Sequence, residues 1–305
     1  MIKEKKPNFF IVGAPKCGTT ALATYLNDHH EIFISDPKEP HYFADDFSKY
    51  QCCNDEKQYF DLFNNMPKEI KAIGEASVFY LYSMKAIENI YNYNSNAKLI
   101  VMLRNPIEMI HSLHSQLFYT ADEDIILFSE AWKLEKNRKM GKNIPMKCRE
   151  PKLLYYSEIA KYDEQLQRIY NYFPKSQVKV IIFDDFKKSP LNVYKEVLNF
   201  LDLDYDGRIQ FDKINENKQL KSVLVNNLII RPPRIIVNFI KYFKIIFGIK
   251  EIGLFKKIRN KNTVIVKREQ LEDHLKKEIY LNYEDSINNL SSMLNRELSV
   301  WKYYE

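Results

Sequence analysis

The 305-residue chain reads as an α/β protein, a P-loop-like and mainly parallel sheet with flanking helices and a helical C-terminal part. Three observations predict this class. Short apolar runs of strand character alternate with helix-period segments through residues 8–203. The first run, Asn8–Ala14, breaks into a tight turn containing Gly13, Pro15 and Gly18 before a helical pattern begins. Two basic residues, Lys16 and Arg104, fall at the ends of strand-like runs, where open α/β sheets hold their ligands.

Asn8–Ala14 is the first predicted strand, and Gly18–His29 the helix after it. Ala72–Ala76 supplies a second strand, followed by a helix near Ser83–Tyr93. Lys98–Arg104 holds the unbroken run Leu-Ile-Val-Met-Leu, the pattern of a strand buried on both faces. Pro106–Tyr119 is a helix with proline in its first turn, where the missing N–H costs nothing. Val178–Phe183 is another buried strand and Leu191–Leu201 a further helix. Glu269–Trp301 reads as closing helices, with Leu290, Leu294, Leu298 and Trp301 as a core stripe. There is no internal repeat.

These elements predict one domain over 1–305, with a core in 8–203, a candidate lid or acceptor region in 209–262 and closing helices in 263–305. Leu228–Lys261 mixes Ile and Phe with Arg231, Arg234, Lys241, Lys244, Lys256 and Lys257. It suits either helices packed over a site or a basic amphipathic surface making peripheral contact with anionic lipid.

A hydrophobic content of 45% supports a real core, and 21 Tyr and 19 Phe against 7 Gly argue against disorder. The net charge of +6 suits an anionic ligand or a solvated lysine surface, and nothing points to a nucleic-acid partner. The apolar run after Lys3, Lys5 and Lys6 is too short for a signal peptide. No stretch reaches the ~18 apolar residues of a membrane span. Cys17, Cys52, Cys53 and Cys148 have neither zinc-site nor disulfide-framework spacing. Reduced thiols, a cytoplasmic setting with peripheral membrane contact open, and no metal are the expectations.

Gly13 and Gly18 keep the glycine spacing of a Walker loop, but Thr19 stands where its lysine belongs and Lys16 has moved into the turn. The loop N–H groups and the helix N-terminus still form an anion site, without the arrangement for Mg-NTP.

Taken together, Pro15-Lys16-Cys17-Gly18-Thr19-Thr20, Lys38-Glu39-Pro40-His41-Tyr42-Phe43, and Leu103-Arg104-Asn105-Pro106 with Ser112 resemble the sulfotransferase family, above all its heparan-sulfate, carbohydrate and bacterial members. The likeness is best over 8–120 and 158–203. It implies the donor 3′-phosphoadenosine 5′-phosphosulfate. Lys16, Cys17, Gly18, Thr19 and Thr20 would bind the 5′-phosphosulfate, and Arg104 with Ser112 the 3′-phosphate. The physical chemistry agrees. Gly18 admits close backbone approach, Thr19 and Thr20 add hydroxyl donors, and Lys16 is a mobile charge for the oxygen left as the S–O bond breaks. The fork of Arg104 suits a phosphate monoester. Ser112 falls on the polar face of its helix with Glu108, His111 and Ser115, while Ile107, Ile110, Leu113 and Leu117 pack. A salt-bridged Arg104 and a solvated Ser112 are the plain alternative.

By the same resemblance Glu39 is the base that takes the acceptor's proton. Burial beside Tyr42 and Phe43 would raise its pKa towards working pH. An exposed glutamate paired with Lys38 is the alternative, and His41 the rival base. His111 and His114 read as helix-surface or packing residues. Lys218 and Lys221 are candidates for the family's late basic donor loop, or part of a solvated charge run. Glu75, at another strand end, would orient Lys16 or the acceptor, or serve structure. The glutamate segment favours a glycan acceptor, with a lipid, steroid or phenolic alcohol open. A Mg-ATP kinase and a non-catalytic nucleotide- or membrane-binding module are the competing classes.

Overall fold

In the computed structural model every side chain of β1 (Phe9–Gly13) is buried. Side chains alternate between the two faces of a strand, so both faces of the sheet are covered here. The structure describes residues 6–53, 55–67, 69–212, 218–220, 263–265 and 270–302, the two short stretches 218–220 and 263–265 as backbone only. The lid expectation for 209–262 and the basic segment Leu228–Lys261 therefore lie almost wholly outside the described residues.

After β1 come α1 (Thr19–Asn27), β2 (Ile32–Ile34), α2 (Glu56–Asp61), β3 (Ala72–Ala76), α3 (Ala86–Tyr93), β4 (Lys98–Leu103) and α4 (Pro106–Tyr119). Then follow α5 (Phe128–Lys133), α6 (Glu135–Lys139), α7 (Tyr162–Tyr170), β5 (Val178–Ile182), α8 (Phe183–Lys188) and α9 (Pro190–Phe200). The strands β6 (Lys218–Leu220) and β7 (Thr263–Ile265) and the helix α10 (Asp273–Leu294) complete the order.

Five strands form one parallel sheet in the order β2-β3-β1-β4-β5. The chain lays β2 and β3 on one side of β1, then crosses to place β4 on the other, so β1 and β4 flank the topological switch point. The predicted strands and the helix Pro106–Tyr119 stand within a residue or two of expectation. β2 was not predicted. Its three residues carry no period of their own and become a strand by pairing with β3. The helix expected from Ser83 starts at Ala86, because the Ser83 hydroxyl accepts the N–H groups of Lys85 and Ala86 at 3.1 and 3.0 Å and so caps it.

The chain divides into two compact units. Met1–Leu113, Arg149–Asn215 and Glu272–Glu305 contribute to the first, which holds the parallel sheet. In it α10 buries Leu275, Ile279, Tyr283, Ile287 and Leu290 at helical spacing. Trp301 closes the stripe, its indole N–H donating to Asp184 at 3.0 Å, while Leu294 is only half-buried. His114–Cys148 and Glu216–Leu271 contribute to the second unit. It holds a fully buried ion pair, Arg138 to both oxygens of Glu123 at 2.7 and 2.6 Å. His114 packs beside Phe128 and bonds the Ile125 carbonyl at 2.9 Å.

Gly74 in β3 faces the ring of Phe9, where an added Cβ would stand 2.1 Å from Cζ. Phe9 is fully buried and has nowhere to go. Gly74→Ala should therefore cost roughly 1–3 kcal/mol in denaturant unfolding, as overpacked cores do, and Gly74→Ala/Phe9→Leu should recover part of it. A loss unchanged in the double variant would place the strain elsewhere.

Candidate active site

The loop after β1 is shaped by close backbone packing. Ser77 and Leu81 donate their N–H groups to the Ile11 and Val12 carbonyls at 3.1 and 2.8 Å, which draws residues 77–81 against β1. Gly13, at φ +146°, leaves no room for a side chain, since a Cβ would lie 2.7 Å from the Val78 carbonyl oxygen. Ala14 then donates to Met102 of β4 at 2.7 Å. Lys16 and Gly18 take left-handed backbone at φ +62° and +89°, and Gly18 opens α1. The first N–H groups of a helix lack intrahelical partners, and the first turn of α1 carries no acid, so this end is suited to an anion.

Within the loop, Lys16, Gly18 and Thr20 are half-buried, while Thr19 and Cys17 are buried. The Cys17 thiol donates to the Pro15 carbonyl at 3.3 Å, and burial pushes it up to about 12 against the pull of Arg104. Its side chain anchors the loop, so any part it has in holding a ligand falls to its backbone N–H.

Arg104, just beyond β4, reaches the same loop. Its Nη1 donates to the Lys16 carbonyl at 3.3 Å, and its guanidinium lies 4.9 Å from the Phe183 ring centroid. Nε and Nη2 donate to Glu108 at 2.9 and 2.5 Å, so the salt bridge foreseen as the alternative is present. Ser112 departs from expectation. It is buried, because α4 buries Met109 as well as Ile110, Leu113 and Leu117 and its covered face extends to the serine.

The Glu39 segment is fixed to the end of β3. Glu39 N–H donates to the Ala76 carbonyl at 3.0 Å, His41 N–H to the Ser77 hydroxyl at 3.0 Å and Phe43 N–H to the Tyr80 hydroxyl at 3.1 Å. The expected rise of the Glu39 pKa is corrected. Burial pushes the carboxyl up, but contact with His41 and the Lys38 ammonium at 2.5 Å outweigh it and hold the group at about 2. The aromatics meant to desolvate it turn elsewhere. Tyr42 stacks on Tyr59 with centroids 4.3 Å apart, and Phe43 meets Phe10 edge-on at 5.7 Å. His41 Nε2 stands 3.8 Å from Glu39, and its buried ring stacks on Phe79 at 5.1 Å. Burial lowers its pKa against the pull of Glu39, and a ring buried against Phe79 suits a wall for the glutamate better than a base facing an acceptor.

Of the two roles open to Glu75, its contacts favour the structural one. It is fully buried and accepts from the Tyr59 hydroxyl at 2.7 Å and the Ser77 hydroxyl at 2.5 Å. Ser77 in turn accepts the His41 N–H, so Glu75 underpins the Glu39 segment. The sequence signal was an acid inside an apolar strand. Burial pushes it up to about 7 against the hydrogen bonds of Ser77, Tyr59 and Tyr80. Lys218 opens β6, paired with Ile265 of β7, while Lys221 lies outside the described residues. Among the described residues no group of three or more His, Cys, Asp or Glu is placed to hold a metal ion.

Residues 6–228 match the sulfotransferase domain family. The chain belongs to the sulfotransferase family. A sulfotransferase of Alicyclobacillus acidocaldarius has the same fold, with a TM-score of 0.70 at 26% identity over 98% of this chain and 99% of that one. Among curated relatives, the membrane-associated sulfotransferase kil1 of Dictyostelium discoideum is 25% identical over 72% of this chain. The bifunctional heparan sulfate N-deacetylase/N-sulfotransferase 1 of Caenorhabditis briggsae is 27% identical over 66%, and human carbohydrate sulfotransferase 15 is 29% identical over 35%. The chain spans 62%, 23% and 26% of the lengths of these relatives. In this sulfotransferase chain, no helix among the described residues is long and apolar enough to cross a membrane.

Glu75 makes stability depend on pH. The unfolded chain ionises this carboxyl near 4.5 and the folded protein near 7, so the folded state holds the proton more tightly. Stability should fall as pH rises from about 4.5 through 7, by about 3 kcal/mol in all. Thermal unfolding of Glu75→Gln against the parent protein should show the variant gaining across that window and level above it. A difference constant with pH would remove Glu75 as the titrating group.

Proposed function

We propose that this chain moves the sulfuryl group of 3′-phosphoadenosine 5′-phosphosulfate to a hydroxyl or amine of a carbohydrate acceptor. One observation carries the reading. The Arg104 guanidinium bonds the Lys16 carbonyl, so two basic strand-end motifs meet at the switch point of the sheet. Two basic motifs brought together at that edge suit a ligand that carries more than one anionic group. The heparan-sulfate and carbohydrate relatives support a glycan.

The loop N–H groups, Lys16, Thr19 and Thr20 hold the 5′-phosphosulfate, and Arg104 with Ser112 the 3′-phosphate. The acceptor oxygen bonds to sulfur as the bridge to phosphate breaks, and the leaving electron pair stays on the phosphate oxygen beside Lys16. The acceptor's proton passes to Glu39. That carboxyl is ionised above about pH 2 and so stands in the accepting form. When an acceptor hydroxyl replaces the Lys38 ammonium, a positive neighbour is lost and the carboxylate becomes more basic.

Heat denaturation tests donor binding first. 3′,5′-ADP at a hundredfold excess over its Kd should stabilise the fold by about 2.7 kcal/mol, and ATP alone should not. Protection by Mg-ATP without 3′-phosphate dependence would favour a kinase. Lys16→Ala should weaken donor use and turnover. Glu39→Ala should keep 3′,5′-ADP binding and lower kcat by about 10²–10⁴, and turnover near that of the parent would take the base role from Glu39.

A further inference from the structure

Cys52 and Cys53 are adjacent in the chain, and their Sγ atoms stand 3.4 Å apart. Both are free thiols, Cys52 exposed and Cys53 buried. Cys53 borders a cleft of about 360 Å³ shared with Tyr42, Gln51 and Asn89. Two hydrogen bonds tie this stretch to the Glu39 segment. The Cys52 N–H donates to the Pro40 carbonyl at 3.0 Å, and Gln51 Nε2 to the Tyr42 carbonyl at 2.9 Å.

We propose that Cys52 and Cys53 form a redox-active vicinal dithiol whose closure to a disulfide alters the backbone that holds Lys38–Phe43. The sulfurs already touch and must close only to about 2.05 Å. The backbone opposes them. Adjacent Cα atoms across a trans peptide lie about 3.8 Å apart, short of the roughly 4.4–6.8 Å that a disulfide prefers. Closure therefore distorts the chain at Cys52, whose N–H makes the bond to Pro40. A disulfide strained in this way is easily reduced, the property of a reversible switch and not of a structural staple.

The oxidant is a small-molecule disulfide, RSSR. The exposed Cys52 thiolate attacks one of its sulfurs, forms the Cys52–SR bond and expels RS⁻. The Cys53 thiolate then attacks Cys52 Sγ, forms the intramolecular bond and expels a second RS⁻. The two thiol protons end on two RSH, and the protein is oxidised by two electrons as RSSR is reduced. Cys53 resolves the adduct by proximity, its Sγ standing 3.4 Å from that of Cys52. Burial, then the hydrogen bond and charge of Cys52, push its thiol up to about 12, which slows the attack, and only the Cys52 contributions are relieved once that sulfur is in the mixed disulfide.

The proposal stands on the thiols and the loop, independently of the sulfuryl-transfer reading. The full chain is incubated with oxidised glutathione, and intact mass, peptide mapping and amide hydrogen exchange are read. The expected result is loss of two hydrogens, mapped to the single peptide that carries both Cys52 and Cys53 and reversed by dithiothreitol. Amide exchange over 39–43 and at Cys52 should speed up in the oxidised form. Cys53→Ser should instead retain glutathione on Cys52, and Cys52→Ser should lose the closure. A lasting glutathione adduct on the parent protein, closure mapped to Cys17 or Cys148, or unchanged exchange over 39–43 after closure would overturn the inference.

Discussion

The site depends on what the two edges of β1 do once the regular ladder stops. On one side Ser77 and Leu81 continue to bond Ile11 and Val12, and on the other Ala14 bonds Met102. These contacts place three segments around one strand end: the loop of Lys16, the turn that supports Glu39, and the strand that ends in Arg104. They demand close backbone approach, and Gly13 is the residue that permits it. A strand paired on only one edge would position one of the two flanking segments and leave the other unplaced.

Around this frame, two carboxyls show how neighbours rather than burial alone decide charge. Glu39 and Glu75 are both pushed up by burial. Glu39 has a lysine and a histidine against it and ends at about 2. Glu75 has only neutral hydroxyl donors and ends near 7. The division suits their places. A charge at the segment's surface remains available, while the group beneath it accepts bonds from Tyr59 and Ser77 in a fully satisfied buried network, the kind that rigidifies a core.

How much of this was legible in the chain depends on range. Leu99–Leu103 announces itself because an unbroken apolar run suits a strand buried on both faces, and Pro106 marks a helix start by its own ring. Lys16 and Arg104 were found by position at strand ends, a property of the fold class. β2 was missed because three residues carry no period and the pairing with β3 makes the strand. The burial of Ser112 was missed because Met109 widens the covered face of α4. The state of Glu39 was half legible: pairing with Lys38 stood as the alternative and is present, while Tyr42 choosing Tyr59 is a contact that no spacing in 38–43 encodes. Glu75 was visible as an anomaly, but its partner Tyr59 lies across a loop.

Phe183 joins these threads at a third strand end. It follows Ile182 of β5, and its ring lies under the Arg104 guanidinium while its edge meets Gly18. A Cβ at Gly18 would stand 3.0 Å from two ring carbons, on a backbone that already requires positive φ. A side chain there would press on the ring that sets the plane of Arg104, so the opening of α1 and the aim of the arginine are mechanically linked. Glu108 is a weak rival for that arginine. More than half of its side chain is exposed, and a pair of this kind is worth about 0–1 kcal/mol. A phosphate on the same fork gains two charge-assisted bonds with little to displace. The arginine is thus aimed by an aromatic and a glycine, and only lightly held by its carboxylate.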